Sequence, residues 1–127
     1  MKIYTDAGSR GNPGKSACAF VVVKENKITE EHSEFIGVAT NNEAEYSAII
    51  SALEKIKAKE LEIISDSQLV VRQLNREYKI TKPHLQKLFE KVQSLIDGRK
   101  IKFSHSEREN KFISRADELV NLELDRH

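Results

Sequence analysis

The chain has 127 residues, enough for one compact domain with a sizeable core, and no repeat, low-complexity tract or linker divides it, so residues 1–127 read as a single domain. Apolar residues make up 39% and charged residues 32%, a profile that excludes a disordered chain, and no apolar run is long enough to span a bilayer. With 21 basic and 20 acidic side chains the net charge is +1, so bulk charge is no argument for a nucleic-acid partner, although basic residues gather between Arg72 and Lys91. The single cysteine, Cys18, excludes an internal disulfide and a Cys/His zinc cluster, and it reads as a small buried hydrophobe. The first residues lack a signal-peptide pattern, which makes a cytoplasmic protein without a membrane the expectation.

Strand signals come first along the chain. "KIYT" (2–5) is a short strand that turns at once into a glycine-rich stretch; "SACAFVVVK" (16–24) is long and β-branched; "KITEEHSEFIG" (27–37) alternates loosely. "KENK" (24–27) between the last two reads as a hairpin turn, giving three antiparallel strands. A helix follows, with apolar residues at Ala44, Ala48, Ile49, Ala52, Leu53 and Ile56 and with Asn41 or Asn42 at its N-cap. "LEIIS" (61–65) is a buried strand and "SQLVVRQLN" (67–75) a short helix. After Pro83, Leu85, Leu88, Phe89, Val92, Leu95 and Ile96 mark an amphipathic helix closed by Gly98. "KIKFSH" (100–105) alternates as a strand, and Ala116, Leu119, Val120 and Leu124 mark a last helix. The order βββαβααβα predicts an α/β fold: a five-stranded mixed sheet, three antiparallel strands then two parallel, with helices on both faces.

Four carboxylates lie at seams between these elements. Asp6 ends the first strand, Asp66 ends the fourth, and Glu45 and Asp117 are expected in the first turns of helices. In a mixed sheet with parallel central strands, strand ends and helix starts meet along one edge, where such folds place their sites. Four carboxylates meeting there would repel one another, and a divalent cation with a preference for oxygen ligands would relieve that repulsion. Each acid also has a plain structural reading. Asp66 could cap the helix at Ser67, Asn42-x-x-Glu45 and Ser114-x-x-Asp117 match capping boxes, and Asp6 could form an Asx-turn. Position alone leaves the choice open.

The flanking residues add a resemblance that covers nearly the whole chain. "YTDAGSRGNPG" (4–14), "TNNEAEYSAIISAL" (40–53), "SDSQLVV" (65–71) and "RADELVN" (115–121) are similar, in order and in element type, to four motifs of the type I ribonuclease H family. The resemblance implies a ribonuclease H-like fold and an endonuclease that hydrolyses the RNA strand of RNA–DNA hybrids, leaving a 5′-phosphate and a 3′-hydroxyl. It carries the family's metal-binding acids onto Asp6, Glu45, Asp66 and Asp117, with Asp6 bridging two Mg²⁺ ions about 4 Å apart that clamp the scissile phosphate, and with Mn²⁺ as substitute.

It also implies how a hybrid is read. Gly8, Gly11 and Gly14 let backbone approach a strand, with Gly8 and Ser9 placed to contact ribose 2′-hydroxyls. Asn41, Asn42 and Gln68 match minor-groove contacts, and Asn12 and Thr40 match a pocket for a DNA-strand phosphate. Arg10 could meet a phosphate or be solvated. His105 matches, with altered spacing, a histidine that helps proton transfer or product release, and Arg108, Glu109 or Arg115 could fill that region instead. His32, His84 and His127 have no motif context and read as surface residues. The basic, tryptophan-containing protrusion of several family members is absent: the segment reads only "REYKITKPH" (76–84), where Lys79 and Lys82 could substitute in part. A looser site of this kind could accept double-stranded RNA, and the protein is expected to be a monomer. The competing readings are a binding-only module, opposed by the presence of all four acids, and another nuclease on the same scaffold, opposed by "TNNEAEY" (40–46).

Overall fold

The computed structural model describes residues 1–127. Its elements are β1 (Lys2–Gly11), β2 (Gly14–Lys24), β3 (Lys27–Ala39), α1 (Asn41–Lys55), β4 (Glu60–Ser65), α2 (Gln68–Leu74), α3 (Pro83–Ile96), β5 (Lys100–His105) and α4 (Lys111–Asp125). The five strands form one sheet in the order β3-β2-β1-β4-β5. β1, β2 and β3 pair antiparallel, and β4 and β5 join parallel to β1, as the element order predicts. Glu25 and Asn26 both take positive φ at the β2–β3 turn, the twist-compatible geometry of a two-residue hairpin.

Strand alternation sorts the core into two layers. Ile3, Phe20, Val22, Ile63 and Phe103 point to one face and pack on α1, α2 and α3 through Tyr46, Ile49, Leu53, Val70 and Val92. Tyr4, Val21, Val23 and Ile64 point to the other face, where Phe112 and Ile113 of α4 cover them. Helices therefore lie on both faces. No helix is long and apolar enough to cross a membrane.

β1 differs from the expected short strand. It runs ten residues, and its second half, Asp6 to Gly11, pairs with β2 as one arm of a long hairpin. Its parallel pairing with β4 covers only Lys2–Thr5 against Glu62–Ser65. Past Thr5 and Ser65 the two strands part, because β1 stays with β2 while the chain after Ser65 enters α2. The tight turn explains two glycines. Gly11 has φ +116, and a Cβ on Gly14 would lie 2.5 Å from the Arg10 carbonyl oxygen.

At the opposite end of the molecule one residue ties three segments together. The Arg99 guanidinium donates to the carbonyls of Leu53 (3.1 Å) and Ile56 (2.6 Å) at the end of α1, Ala58 (3.0 Å) beyond it, and Leu95 (3.1 Å) at the end of α3. These are carbonyls that helix ends leave without intrahelical partners. Arg99→Ala is expected to lower the unfolding free energy by about 2–4 kcal/mol, since several hydrogen bonds to a charged group are lost at once. Chemical denaturation checks this, and a change under about 0.5 kcal/mol would refute the clamp.

Candidate active site

The parting of β1 and β4 opens a crevice of about 440 Å³ beyond the carboxyl ends of the parallel strands. Asp6, Glu45, Asp66 and Asp117 all line it. One carboxylate oxygen from each of Asp6, Glu45 and Asp66 lies within 4.8 Å of the others. Asp117 borders this trio from α4 and adds to the charge felt by Asp6. Its own side chain is approached by the Asn121 amide at 3.4 Å.

The plain structural readings of the acids fail one by one. Thr40, not Asn41 or Asn42, caps α1: its hydroxyl accepts the Glu43 N–H at 3.2 Å, while the Glu43 carboxylate accepts the Thr40 N–H at 2.8 Å. The box is Thr40-x-x-Glu43, so Glu45 is free to face the crevice. α2 is capped by Ser67, which leaves Asp66 outside the capping role. α4 is capped by Asn110 and starts at Lys111, so Asp117 sits in its second turn rather than its first. Asp6 lies inside the β1–β2 ladder, opposite Ala19, rather than in a turn.

Burial and mutual repulsion raise the proton affinity of the trio. Burial first, then the charge of Asp66, pushes the Asp6 carboxyl up to about 8, against a pull from the Ala7 N–H. Glu45 is raised well above the usual carboxylate range, again by burial first and then by Asp6 and Asp66. Ser65 partly offsets this by donating to Glu45 at 3.4 Å, while accepting the Ser67 N–H at 3.0 Å. Such a set of hard oxygen donors, crowded and short of counter-charge, fits a divalent cation of the Mg²⁺ type.

Ser65 and Arg108 complete the polar surroundings. Ser65 was legible through alternation: it falls on the face of Leu61 and Ile63, where a buried hydroxyl must find a partner. Arg108, in the segment between β5 and α4, reaches over the crevice with its Nε 3.7 Å from Asp66 Oδ2. It is 86% exposed and is the one cation lining the crevice. His105 ends β5 opposite Ser65, is exposed, and is not among the lining residues. Arg115 is engaged elsewhere, with Glu31 at 2.6 Å.

The expected substrate contacts are distributed around the same opening. Gly8, Ser9, Asn41 and Asn42 line it, and Gln68 starts α2 as an exposed neighbour of the lining residue Ser67. The Asn12 side-chain oxygen accepts the Asn41 N–H at 3.0 Å, which brings Asn12, Thr40 and Asn41 together at the start of α1. Ser9 Oγ donates to the Ala39 carbonyl at 2.9 Å. Arg10 pairs with Asp125 at 2.7 Å on the outer side of the hairpin, and Gly11 and Gly14 shape the turn. Gly8 has a packing reason as well, since a Cβ there would lie 3.2 Å from Val120 Cγ1.

Comparison with known proteins points the same way. The family model described as RNase H matches residues 1–123. The ribonuclease HI of Halobacterium salinarum is 38% identical over 127 residues, which cover 96% of this chain and 63% of that protein. The bifunctional protein Rv2228c of Mycobacterium tuberculosis is 36% identical over 129 residues, covering 97% of this chain and 35% of its own length. The chain thus spans about a third to two thirds of these relatives. Among solved structures, LC11-RNase H1 in complex with an RNA/DNA hybrid superposes with a TM-score of 0.91 at 40% identity, covering 98% of this chain and 96% of that one. The RNase H1 of the halophilic archaeon Halobacterium salinarum superposes with a TM-score of 0.89 at 36% identity, covering 99% and 98%.

The raised carboxyls fix a sign for the pH dependence of stability. Between the ordinary carboxyl range near 4 and about 8, the folded chain binds more protons at Asp6 than the unfolded chain does. The stabilisation is therefore complete below about 4 and is lost as pH rises through about 8. Glu31, Glu34 and Glu43, whose pKa values are lowered, act in the opposite sense, but their contribution is lost only in acid. In chelator, Tm is expected to fall between pH 5 and pH 9, with the slope flattened by Asp6→Asn and offset by an added divalent cation. A thermal-shift series in which Tm rises over that interval would refute the assignment.

Proposed function

The chain belongs to the ribonuclease H family, and on that footing we propose that it is a metal-dependent endonuclease that cuts the RNA strand of RNA–DNA hybrids, leaving 5′-phosphate and 3′-hydroxyl ends. The observation that carries this reading is the convergence of three carboxylate oxygens within 4.8 Å, with Asp117 beside them, at a crevice rimmed by the amides of Asn41 and Asn42. A binding module has no use for so crowded a set of acids, which costs stability at neutral pH.

Asp6, Glu45, Asp66 and Asp117 would hold two Mg²⁺ ions, or Mn²⁺ in their place. Bound there, such ions would supply Lewis acidity to the scissile phosphate and to a water. The chain's own residues then have separable tasks. Ser65 orients Glu45 through its hydroxyl. The Asn41, Asn42 and Gln68 amides present donors and acceptors to the minor-groove edge of the duplex, and Gly8 and Ser9 meet ribose hydroxyls of the RNA strand. Asn12 has its side-chain oxygen engaged by Asn41 N–H, so its NH₂ group remains to donate. Thr40 accepts from Glu43 N–H, so its own proton remains to donate as well. Both donors suit a DNA-strand phosphate.

Arg108 takes the helper position in preference to His105, because it already overhangs Asp66 while His105 does not line the crevice. A guanidinium does not exchange protons near neutrality, so its contribution is electrostatic: it draws the scissile phosphate over the acids and stabilises developing charge. The short α2–α3 connection, without the basic protrusion, accompanies a looser grip that also admits double-stranded RNA.

Purified protein is expected to cleave a labelled hybrid with Mg²⁺ or Mn²⁺ and to leave it intact in chelator. Gel assays with hybrid, duplex RNA, duplex DNA and single strands decide this, and a hybrid untouched across a range of both metals would refute the activity. Asp66→Asn is expected to abolish cleavage while leaving Tm unchanged or raised, because one repelling charge is removed from Asp6. Arg108→Ala is expected to lower kcat by about tenfold, or about 1.4 kcal/mol, with the metal requirement unchanged. Unaltered turnover in that variant would remove Arg108 from the mechanism.

A further inference from the structure

β2 faces α1 with Phe20 and Val22, and the same alternation turns Ser16 to that face. There a hydroxyl breaks the apolar pattern, on a residue with no exposed surface. A hydroxyl buried among hydrocarbon needs a partner, and Ser16 Oγ has two within reach: the Gly14 carbonyl at 2.8 Å and the Ala39 carbonyl at 3.1 Å. Ser9 is the direct partner of Ser16 across the β1–β2 ladder, so the two side chains share one face. Its Oγ also donates to the Ala39 carbonyl, at 2.9 Å, and it approaches the carbonyls of Gly11 and Gly14. Three carbonyls thus share two hydroxyl protons, and Ala39, whose oxygen has two lone pairs, is one that both serines reach.

The backbone is bent to make this meeting possible. Ser16 pairs with Gly37 but Ala17 pairs with Phe35, so Ile36 is an extra residue on β3, beside Gly37 at φ +81. Such a bulge re-aims the strand beyond it, and here it brings Ala39 opposite Gly14. The residue after Ala39 is Thr40, the cap of α1. In the turn before Gly14 lies Asn12, whose side-chain oxygen accepts the Asn41 N–H at 3.0 Å. The hairpin turn and the start of α1 come from separate parts of the chain, and the two serines stand between them.

We propose that Ser16 is a positioning residue for the duplex: through the Ala39 carbonyl it fixes the spacing between the Asn12 amide and the Thr40 hydroxyl, two donors offered to one phosphate of the DNA strand. The proposal rests on the hybrid-cleaving function above and deepens it, because it assigns part of the grip to a buried side chain that touches no substrate. Two donors hold one phosphate well only when their separation matches its oxygens, and a pair free to drift must be ordered anew at each binding event. The carboxylates do not share this dependence. Glu45 lies on the same helix, but its place is set by the packing of Tyr46, Ile49 and Leu53 and by the Ser65 hydroxyl. Ser16 therefore acts on binding and leaves the reacting centre where it is.

The test compares the unmodified chain with Ser16→Ala, Ser16→Cys and Arg99→Ala. Ser16→Ala removes the hydroxyl, and Ser16→Cys keeps the site filled while offering only a weak donor. Arg99→Ala loosens the opposite end of the molecule and so measures lost stability without lost positioning. Thermal melts set a temperature at which every chain is folded. Hybrid affinity is read by fluorescence anisotropy in chelator, and KM and kcat in Mg²⁺. Both Ser16 variants are expected to raise Kd and KM about fivefold, with kcat within about twofold. Arg99→Ala is expected to match the unmodified chain in all three. When the DNA strand carries uncharged methylphosphonate linkages, the unmodified chain and the Ser16 variants are expected to bind alike, measured at low salt where the weaker complex persists. Unchanged Kd and KM in the Ser16 variants, an equal rise in Arg99→Ala, a fall in kcat without a rise in KM, or a loss that persists on the methylphosphonate strand overturns the proposal. An unmodified chain that binds hybrid and does not cut it refutes the proposed activity, while the anisotropy comparison still decides the role of Ser16.

Discussion

The site depends on where the parallel ladder between β1 and β4 stops. Thr5 and Ser65 are its last partners, and the next residue on each strand is an aspartate. Apolar packing of Ile3 and Ile63 against α1 on one face, and of Tyr4 and Ile64 against α4 on the other, fixes that register. A slip of one residue would turn Asp6 to the opposite face and bury an apolar neighbour in its place. The two aspartates therefore do not approach one another by attraction; they are held together, against repulsion, by the hydrophobic layers behind them. Glu45 joins because the Thr40–Glu43 capping box sets where α1 begins, which fixes the face that the fifth residue of the helix presents.

The long β1–β2 hairpin is the other half of the arrangement. Ser9 ties it to the end of β3, Asn12 to the first turn of α1, and Arg10 to the end of α4. Three elements distant in sequence thus steady one arm that carries Asp6 at its base and Asn12 at its tip. At the tip the Asn12 side-chain oxygen is taken up internally by the Asn41 N–H. The same economy appears at Ser65, which serves Ser67 and Glu45 at once.

Element order and sheet topology were legible in the sequence because period-2 and period-3.6 patterns survive in each segment; the four acids were visible at the seams of those patterns, but only the flanking motifs, through their resemblance to a family, set them apart from capping residues. What escaped was set by non-local pairing. Asp6 looked like a strand end because the glycines after it read as a loop; pairing with β2 overrides that local signal. Asn41 and Asn42 were as good cap candidates as Thr40, and the capping box with Glu43 decided between them. The choice between His105 and Arg108 hung on the path of a short connection that carries no periodicity. The basic run after Arg72 was visible, but its pairing with Tyr78 and Phe89 follows from a left-handed residue at Arg76, which no propensity foretells.

The proton affinity of the crevice has a consequence for how the protein keeps. In mildly acidic surroundings Asp6 holds a proton, repulsion within the trio is lowest, and the positions a cation would occupy are blocked. Near neutrality the same groups release protons more readily and the fold gives up part of its stability, which a cation arriving there would restore. One cluster thus trades stability against readiness to accept a cation, and pH sets the balance.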